Sequence, residues 1–136
     1  MRTYNGLLLV LLCTFISACT SFPSKNCNIG QEESAQESIY FGTGKKEGYV
    51  TSHEWSEFLD NTVTPKFPEG LTVTQASGQW KGNDGVVIKE PSYILTIIHN
   101  NSKTEVDSII EIINTYKTKF QQEAVLRVKS NACISF

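Results

Sequence analysis

The stretch LTVTQASGQWKGNDGVVIKEPSYILTII, residues 71–98, decides the fold because it predicts two strands joined by a tight turn. Residues 71–74 alternate between apolar and polar side chains, as a strand with one buried face does, and we expect this strand to reach about Trp80. Gly82-Asn83-Asp84-Gly85 is a dense turn signal. The run Val86-Val87-Ile88 then starts the second strand.

The second strand of this hairpin is predicted to lie in the middle of a sheet. Residues 93–98 are apolar except for Thr96, which suits a strand covered on both faces. Pro91 has no N–H to donate to a central ladder, so we expect an interruption and a bulge near it. One apolar set must then face away from the helices, either Ile94 and Ile98 or the set Tyr93, Leu95 and Ile97.

Two helices flank the hairpin, and each begins at a capping box. The segments Thr51–Glu54 and Ser102–Glu105 have the spacing in which two side chains satisfy each other's backbone N–H groups. The first helix carries an apolar stripe at Trp55, Phe58 and Leu59. The second carries a longer stripe at Val106, Ile109, Ile110, Ile113, Tyr116 and Phe120.

The two ends of the folded part are predicted to be strands. Residues 38–42 form a short aromatic and β-branched run closed by glycine, and residues 123–136 alternate regularly enough to define two faces. The order strand, helix, strand, strand, helix, strand predicts an α+β fold. It is a ferredoxin-like sandwich with an antiparallel sheet and two helices on one face, formed by residues 38–136.

Composition excludes several classes of protein. The chain has 136 residues, a formal net charge of −2 and 40% hydrophobic residues. These values exclude a disordered acidic tail, a collagen-like repeat and a protein with many membrane spans. Because there is no basic excess to neutralise phosphates, nucleic acid is not an expected partner.

Residues 1–18 have the organisation of a secretory signal peptide. Arg2 provides a short basic region, and the apolar run 7–16 is shorter than the roughly 20 residues that a membrane span needs. The sequence Ile16-Ser17-Ala18-Cys19 resembles the bacterial lipobox, in which the cysteine thiol receives diacylglycerol and becomes the mature N-terminus. The alternative is an ordinary secretory signal with a coincidental cysteine.

Cleavage before Cys19 would leave a chain anchored to a membrane by its N-terminal lipid. Residues 19–37 are rich in Ser, Asn, Gln and Glu and predict a flexible tether. Thr20 follows the cysteine, and the absence of aspartate at this position resembles outer-membrane lipoproteins. We therefore expect a protein of the bacterial cell envelope, carrying palmitate or a similar acyl chain. In a Gram-negative organism it would lie on the outer membrane, facing the periplasm.

Several short motifs together resemble one protein family. They are Tyr40-Phe41-Gly42, Glu54-Trp55-x-x-Phe58-Leu59-Asp60, Val63-Thr64-Pro65-x-Phe67-Pro68-x-Gly70-Leu71-Thr72-Val73, Gly78-Gln79-Trp80, Lys89-Glu90 and Gln122-Glu123-x-Val125-Leu126-Arg127-Val128. In this combination the chain resembles, over about residues 38–136, the bacterial lipoprotein and secreted-protein family catalogued as domain of unknown function 3574. The resemblance supports the fold and the location and assigns no catalytic residue.

The chemistry-bearing residues do not form a recognised catalytic motif. The two histidines, His53 and His99, lack metal-ligand spacing, and a zinc site needs three or four convergent ligands. No nucleophile elbow, phosphate-binding loop or dinucleotide fingerprint occurs in the sequence. We therefore predict no catalytic residue, no metal and no cofactor.

The sheet face without helices, here called the open face, carries the candidate contacts to a ligand or partner. If the first and last strands pair, Tyr40 would approach Arg127, and with Gln79 and Glu123 they would bind a small anion or polarise a carbonyl. The alternatives are a solvated strand face and a Trp80 that only packs. The complete set is Tyr40, Gln79, Trp80, Glu123, Val125 and Arg127.

Two cysteines remain once Cys13 is removed with the signal and Cys19 is acylated. Disulfides persist in envelope compartments, and by its position in the last strand Cys133 is expected to point away from the helices. We predict a Cys27–Cys133 disulfide that straps the tether across or beside the open face. Two reduced cysteines are the alternative.

Two classes of function remain open. The first is a lipid-anchored binding or interaction module that contacts an envelope protein or small ligand through the open face. The second is a small cofactor-free enzyme on a ferredoxin-like scaffold, an idea that rests on fold analogy. We favour the module over the enzyme. The apolar open face also predicts a homodimer, because contiguous exposed apolar patches mark interfaces.

Overall fold

A computed structural model describes residues 27–136. The long strands are β1 (Glu32–Gly42), β4 (Thr72–Lys81), β5 (Val87–His99) and β6 (Leu126–Ile134), and a small hairpin is formed by β2 (Gly44–Lys45) and β3 (Gly48–Tyr49). The helices are α1 (Ser52–Phe58) and α2 (Lys103–Phe120). The predicted signal peptide and Cys19 lie outside the described residues. Within 27–136, no helix is long and apolar enough to cross a membrane.

The four long strands form one antiparallel sheet in the order β4-β5-β1-β6. Helix α1 connects β1 to β4 and helix α2 connects β5 to β6, so two β-α-β units surround the central hairpin. The predicted ferredoxin-like α+β architecture is confirmed. Strands β5 and β1 lie in the middle of the sheet, and β4 and β6 are its edges.

Both helices pack on the same face of the sheet. Phe41 of β1 contacts Trp55 of α1 and Tyr116 of α2, with ring centroids 5.4 and 4.6 Å apart. Trp55 also stacks on Tyr93 of β5 at 4.2 Å, so it belongs to the core as predicted. Aromatic pairs of this kind add stability beyond the area they bury, and they hold the sheet and helices in one arrangement.

The local signals in the sequence operate as predicted. Both capping boxes are present, with Thr51 and Ser102 accepting from the N–H groups of Glu54 and Glu105 at 3.2 and 3.3 Å. The turn between β4 and β5 is closed by a hydrogen bond from Gly82 N–H to Val86 O at 2.9 Å. Each signal is local, because its donors and acceptors are only a few residues apart.

Strand β1 is longer than its sequence indicated. It begins at Glu32 rather than Ser38, so residues 32–37 of the predicted tether belong to the sheet. These residues are mostly polar and have weak strand propensity. They are ordered as strand because β6 pairs with residues 32–37 and β5 pairs with residues 35–37 from the other side.

The bulge predicted near Pro91 does not form. Strand β5 pairs with β4 in unbroken register from Thr96 to Val87. The pairing with β1 ends at Ser92, and the Thr43 N–H still donates to Pro91 O at 3.2 Å. Pro91 has no N–H to donate to the Thr43 carbonyl, which accepts instead from the Val50 N–H at 2.7 Å. Proline is tolerated here because β1 turns away to form the small hairpin.

Two details of the helices differ from the prediction. Ile110 of α2 is exposed and Ile112 is buried, so the buried stripe is Ile109, Ile112, Tyr116 and Phe120. Helix α1 continues into a π-helical turn, Leu59–Val63, with Thr64 N–H donating to Leu59 O at 2.9 Å. This wider turn brings Val63 into the core.

Cys27 and Cys133 are joined by a disulfide, with Cα atoms 5.4 Å apart. Cys133 pairs with Glu33 in the ladder and therefore shares the strand face of Ala35 and Glu37, which is the helix-covered face. The expectation that Cys133 points away from the helices is wrong, because parity alone does not say which set of alternate residues faces the core. The bond lies at the end of β6 remote from Leu126, so it does not strap the part of the open face near Tyr40.

Candidate functional site

The strand register defines which side chains lie on the open face. Tyr40 of β1 is opposite Ile94 of β5 and Leu126 of β6. Across β4 and β5, Trp80 is opposite Ile88. Directly opposed residues share a face, and the alternate positions, such as Ile39 and Leu95, are fully buried under the helices. The open face therefore includes both Tyr40 and Trp80.

A cleft of about 330 Å³ lies on this face and runs across all four strands. Its size is at the lower end of the range for small-molecule sites. Aromatic and aliphatic side chains form its walls, and small residues of three strands form its floor. The lining comprises Tyr40, Gly42, Ala76, Ser77, Gly78, Gln79, Trp80, Glu90, Ser92, Ile94, Gln122, Ala124 and Leu126.

Glu90 is the only charged side chain among the described residues that line the cleft. The residue is 9% exposed, and its Oε2 accepts a hydrogen bond from the Gly44 N–H. No lysine, arginine or histidine within residues 27–136 forms an ion pair with it. A nearly buried carboxylate without a basic partner is energetically unfavourable and is more often found at binding sites than in structural cores.

Glycines make room for this carboxylate. A Cβ on Gly44 would lie 2.7 Å from Glu90 Oε2, and a Cβ on Gly42 would clash with Oε1. On the neighbouring strand, a Cβ on Gly78 would lie 2.8 Å from Ser92 Oγ. The carboxylate thus rests directly against the backbone at the point where β1 leaves the sheet.

Tyr116 supports the cleft from below. Its hydroxyl donates to Gly42 O at 2.8 Å. Burial, and secondarily the charge of Glu90, raise the pKa of the Tyr116 hydroxyl, which favours its protonated, hydrogen-bond-donating form. Gln122 closes one end of the cleft, with Nε2 donating to Gly44 O at 2.5 Å.

The structure places two of the six residues that the sequence predicted for the open face in the cleft, Tyr40 and Trp80. Gln79 borders the cleft from β4, but it is opposite Lys89 and alternates with Trp80, so its strand position belongs to the other face of the sheet. Glu123 is exposed, precedes β6 and does not line the cleft. Val125 packs against the core, and Arg127 lies under the helices with it.

The predicted cluster of Tyr40, Arg127, Glu123 and Gln79 does not form. Arg127 is opposite Ile39 and Tyr40 is opposite Leu126, so Tyr40 and Arg127 occupy opposite faces of the sheet. The regular alternation in β6 was correct, but its odd positions face the helices. A single-residue difference in register is enough to reverse the face of every side chain.

Arg127 instead forms an ion pair with Glu37, whose side chain is fully buried. Its Nε and Nη2 atoms donate to Oε2 and Oε1 at 2.8 and 2.5 Å. Burial alone raises the pKa of Glu37, but the hydrogen bonds and charge of Arg127, with His99, outweigh it and lower the pKa below its ordinary value of 4.5. The same hydrogen bonds raise the pKa of Arg127.

His99 completes this buried group. Its Nε2 lies 3.5 Å from Glu37 Oε1, and its Nδ1 accepts from the Asn101 N–H at 3.2 Å. His53, by contrast, is on the surface, where it lies 3.6 Å from Glu57. Among the described residues, no group of three or more His, Cys, Asp or Glu side chains is arranged to hold a metal ion.

The sequence did not single out Glu90 and Glu37 as important. Pro91 made residues 89–91 look like an interruption between strands, although Glu90 is inside β5. A usable signal existed, because Gly42 and Gly78 are the kind of residues that permit a close approach to a buried group. Glu37 was assigned to the tether, where a buried role is not expected.

What the cleft can do chemically follows from its lining. Aromatic and aliphatic walls favour an apolar body, and the single carboxylate favours a positive charge or a hydrogen-bond donor. The lining also includes the hydroxyls of Ser77 and Ser92.

Solved structures with this architecture define the class of protein as a ferredoxin-like α+β domain. A phage SAM lyase in complex with S-methyl-5'-thioadenosine is 14% identical, with a TM-score of 0.57 over 83% of this chain and 95% of that chain. CutA from Synechococcus elongatus, complexed with a Bis-Tris molecule, is 7% identical, with a TM-score of 0.51 over 77% of this chain and 87% of that chain. At these identities the likeness concerns the fold alone.

Family membership is established by the sequence of the folded part. Residues 36–136 match the model of the family described as protein of unknown function (DUF3574), so the chain belongs to that family. The resemblance predicted from the motifs is confirmed. No curated protein matches the chain.

Proposed function

We propose that this protein is a lipid-anchored binding module of the bacterial cell envelope and that the open-face cleft is its binding site. The observation that carries the proposal is the nearly buried, unpaired Glu90 at the end of a cleft walled by Tyr40 and Trp80. A rigid sheet supports this constellation, which favours a preformed site.

The anchor rests on the lipobox-like sequence Ile16-Ser17-Ala18-Cys19 behind an apolar segment. The disulfide supports an oxidising compartment, since such bonds persist outside the cytosol. Residues between Cys19 and Cys27 would then separate the lipid from the domain. This arrangement holds the cleft near the membrane surface.

Lipidation is tested by Cys19→Ser. We expect this variant to lose incorporation of labelled palmitate, to accumulate as unprocessed precursor and to leave the lipoprotein fraction. Cys13→Ser is the matched control, and it should be processed and labelled as the wild type is. Normal processing and membrane retention of Cys19→Ser would contradict the proposed anchor.

Use of the open face is tested by photo-crosslinking in cells. A benzophenone amino acid at Leu126 lies at the cleft, whereas one at Ile110 lies on the exposed side of α2, and both positions are solvent-accessible. We expect adducts from Leu126 and none from Ile110, with the adduct identified by mass spectrometry. Adducts from Ile110 alone would place the binding surface on the helices and overturn the proposal.

A second copy of the chain is the alternative occupant of this face. Ile98, Leu126 and Val128 are exposed apolar residues on it, in keeping with the predicted homodimer. The Leu126 experiment separates the two, because a crosslinked dimer has twice the mass of the chain. A monomer by sedimentation at tens of micromolar would argue against the second copy.

The second candidate function is an enzyme that uses the same cleft. The supporting observation is the likeness in fold to the phage SAM lyase. In such an enzyme Glu90 would be the ionisable group at the reacting centre. Incubation of the purified protein with SAM, followed by chromatography, tests this: formation of S-methyl-5'-thioadenosine that Glu90→Gln abolishes would support it, and no turnover would reject it.

A further inference from the structure

In the described part of the chain the Glu90 carboxylate has no basic partner, and this restricts the charge of the ligands that the cleft can bind. Its Oε2 is held by the Gly44 N–H, and within residues 27–136 no donor other than this backbone group contacts the carboxylate. Oε1 lies over Gly42, on the side of the residue that lines the cleft. A ligand with a positive centre would supply the countercharge that the protein does not provide.

Two of the domain's basic residues are engaged elsewhere. Lys45, which adjoins Gly44, donates to both carboxylate oxygens of Glu54 at 2.8 and 3.0 Å. Lys89 directly precedes Glu90 in β5, so the alternation of the strand places it on the opposite face of the sheet. Arg127 is committed to Glu37 on the other face of the sheet. Neutralisation of Glu90 by Lys45 or Arg127 would therefore break an existing ion pair.

The walls of the cleft suit the rest of such a ligand. Trp80 is half-buried and Tyr40 is 37% exposed, so each presents aromatic surface to the cleft. Aromatic faces attract organic cations, and the effect strengthens where water is partly excluded. Ile94, between them on β5, and Leu126, beyond Tyr40 on β6, add aliphatic surface. A highly hydrated inorganic ion would gain little from these walls.

We infer that the cleft binds a small organic cation with an apolar or aromatic body, with its positive centre at Glu90 and its body between Tyr40 and Trp80. This inference rests on the proposed use of the cleft as a binding site and adds the charge class of the ligand. An anion or a strongly acidic peptide is excluded, because its charge would approach an uncompensated carboxylate.

A matched pair of probes tests the charge preference. 2-Phenylethylammonium is the cation and 2-phenylethanol is its neutral counterpart of similar shape, and each is titrated into the purified full chain in nonionic detergent while NMR shifts are followed. We expect the cation to bind the wild type at least tenfold more tightly than the alcohol. Glu90→Gln should lower the affinity for the cation to that measured for the alcohol. Glu47→Gln, which removes an exposed carboxylate from the small hairpin, should change neither.

The neutral probe shows whether Glu90→Gln has kept the cleft intact, since its affinity should be the same in both proteins. Ala76→Trp fills the cleft and should abolish binding of both probes. If the cation and the alcohol bind with equal affinity and Ala76→Trp abolishes binding of both, the charge preference is overturned while the cleft remains a binding site. No binding of either probe to the wild type would overturn both the inference and the proposed small-ligand site.

Discussion

Arg127 donates two hydrogen bonds to Glu37 across neighbouring strands, although the two residues are not directly opposite in the ladder. Glu37 is opposite Lys129, and Arg127 is opposite Ile39, so the guanidinium reaches diagonally to the buried carboxylate. Long side chains can span such diagonal pairs. This ion pair joins edge strand β6 to the centre of the sheet.

Removal of Arg127 should therefore be strongly destabilising. Arg127→Met leaves the buried Glu37 carboxylate with His99 as its remaining partner, and we expect a loss of about 3 kcal/mol in the free energy of unfolding, the lower end of the range for broken buried pairs. The lower end applies because the Arg127 side chain is 24% exposed. Urea denaturation measures the loss.

The double variant Glu37→Met, Arg127→Met is the control. It replaces both partners by apolar groups, so most of the loss should be recovered. A double variant as unstable as the sum of the two single variants would show that the two residues do not act as a pair.

The capping box of α1 makes the domain sensitive to acid. Glu54 has its pKa lowered to about 2, by the hydrogen bond from Lys45 first and by those from Thr51 second. A lowered folded-state pKa means that the contribution of Glu54 is complete above its ordinary value of 4.5 and is lost as the pH falls toward 2.

We expect Glu54→Gln to flatten the pH dependence of stability between pH 4.5 and 2, while keeping the cap through its amide. Thermal melts across this range measure the effect. Glu57→Gln, on the exposed side of α1, should leave the acid dependence as in the wild type. An unchanged acid profile in Glu54→Gln would contradict the assignment.

The close approach of Gly44 to Glu90 predicts that substitutions at these two positions are energetically coupled. Gly44→Ala places a Cβ against Oε2 and should displace the carboxylate, weakening cation binding at least tenfold. In a Glu90→Ala background the same substitution meets no carboxylate and should have little effect on stability. The effects of the two substitutions on the free energy of unfolding, measured by denaturation of the four proteins in this cycle, should be non-additive. Additive effects would show that Glu90 does not contact Gly44.

The disulfide closes a loop of 106 residues in sequence. We expect the Cys27→Ser, Cys133→Ser variant to lose about 2–4 kcal/mol of unfolding free energy, mainly because the unfolded chain gains freedom. Cleft binding should not change, since the bond lies at the far end of β1 and β6. A non-reducing peptide map without a linked pair of Cys27 and Cys133 peptides would contradict the bond.

Local signals in the sequence were sufficient for much of the fold. The capping boxes at Thr51 and Ser102 and the turn at residues 82–85 depend on residues a few positions apart, so their patterns could be interpreted directly. Residues 32–37 could not be assigned to a strand in this way, because their order comes from two neighbouring strands that are distant in sequence.

The candidate site was only partly predictable for a related reason. Tyr40 and Trp80 were recognised as aromatic residues at strand positions, and both line the cleft. The two faces of β6 each contain apolar residues, so the sequence did not reveal that Arg127 turns toward Glu37. The role of Glu90 depends on Gly42 of β1 and Gly44 of β2, and such a juxtaposition becomes visible only in three dimensions.

The most direct test of the binding site uses the two tryptophans of the chain. Trp80 lines the cleft, whereas Trp55 is 4% exposed and stacked on Tyr93 in the core. Fluorine NMR of 5-fluorotryptophan-labelled protein resolves both, and Trp80→Phe assigns them. On addition of 2-phenylethylammonium we predict that the Trp80 signal shifts in a saturable manner while the Trp55 signal stays in place. A Trp80 signal that does not move at saturating probe, or a shift confined to Trp55, would contradict the cleft as the binding site.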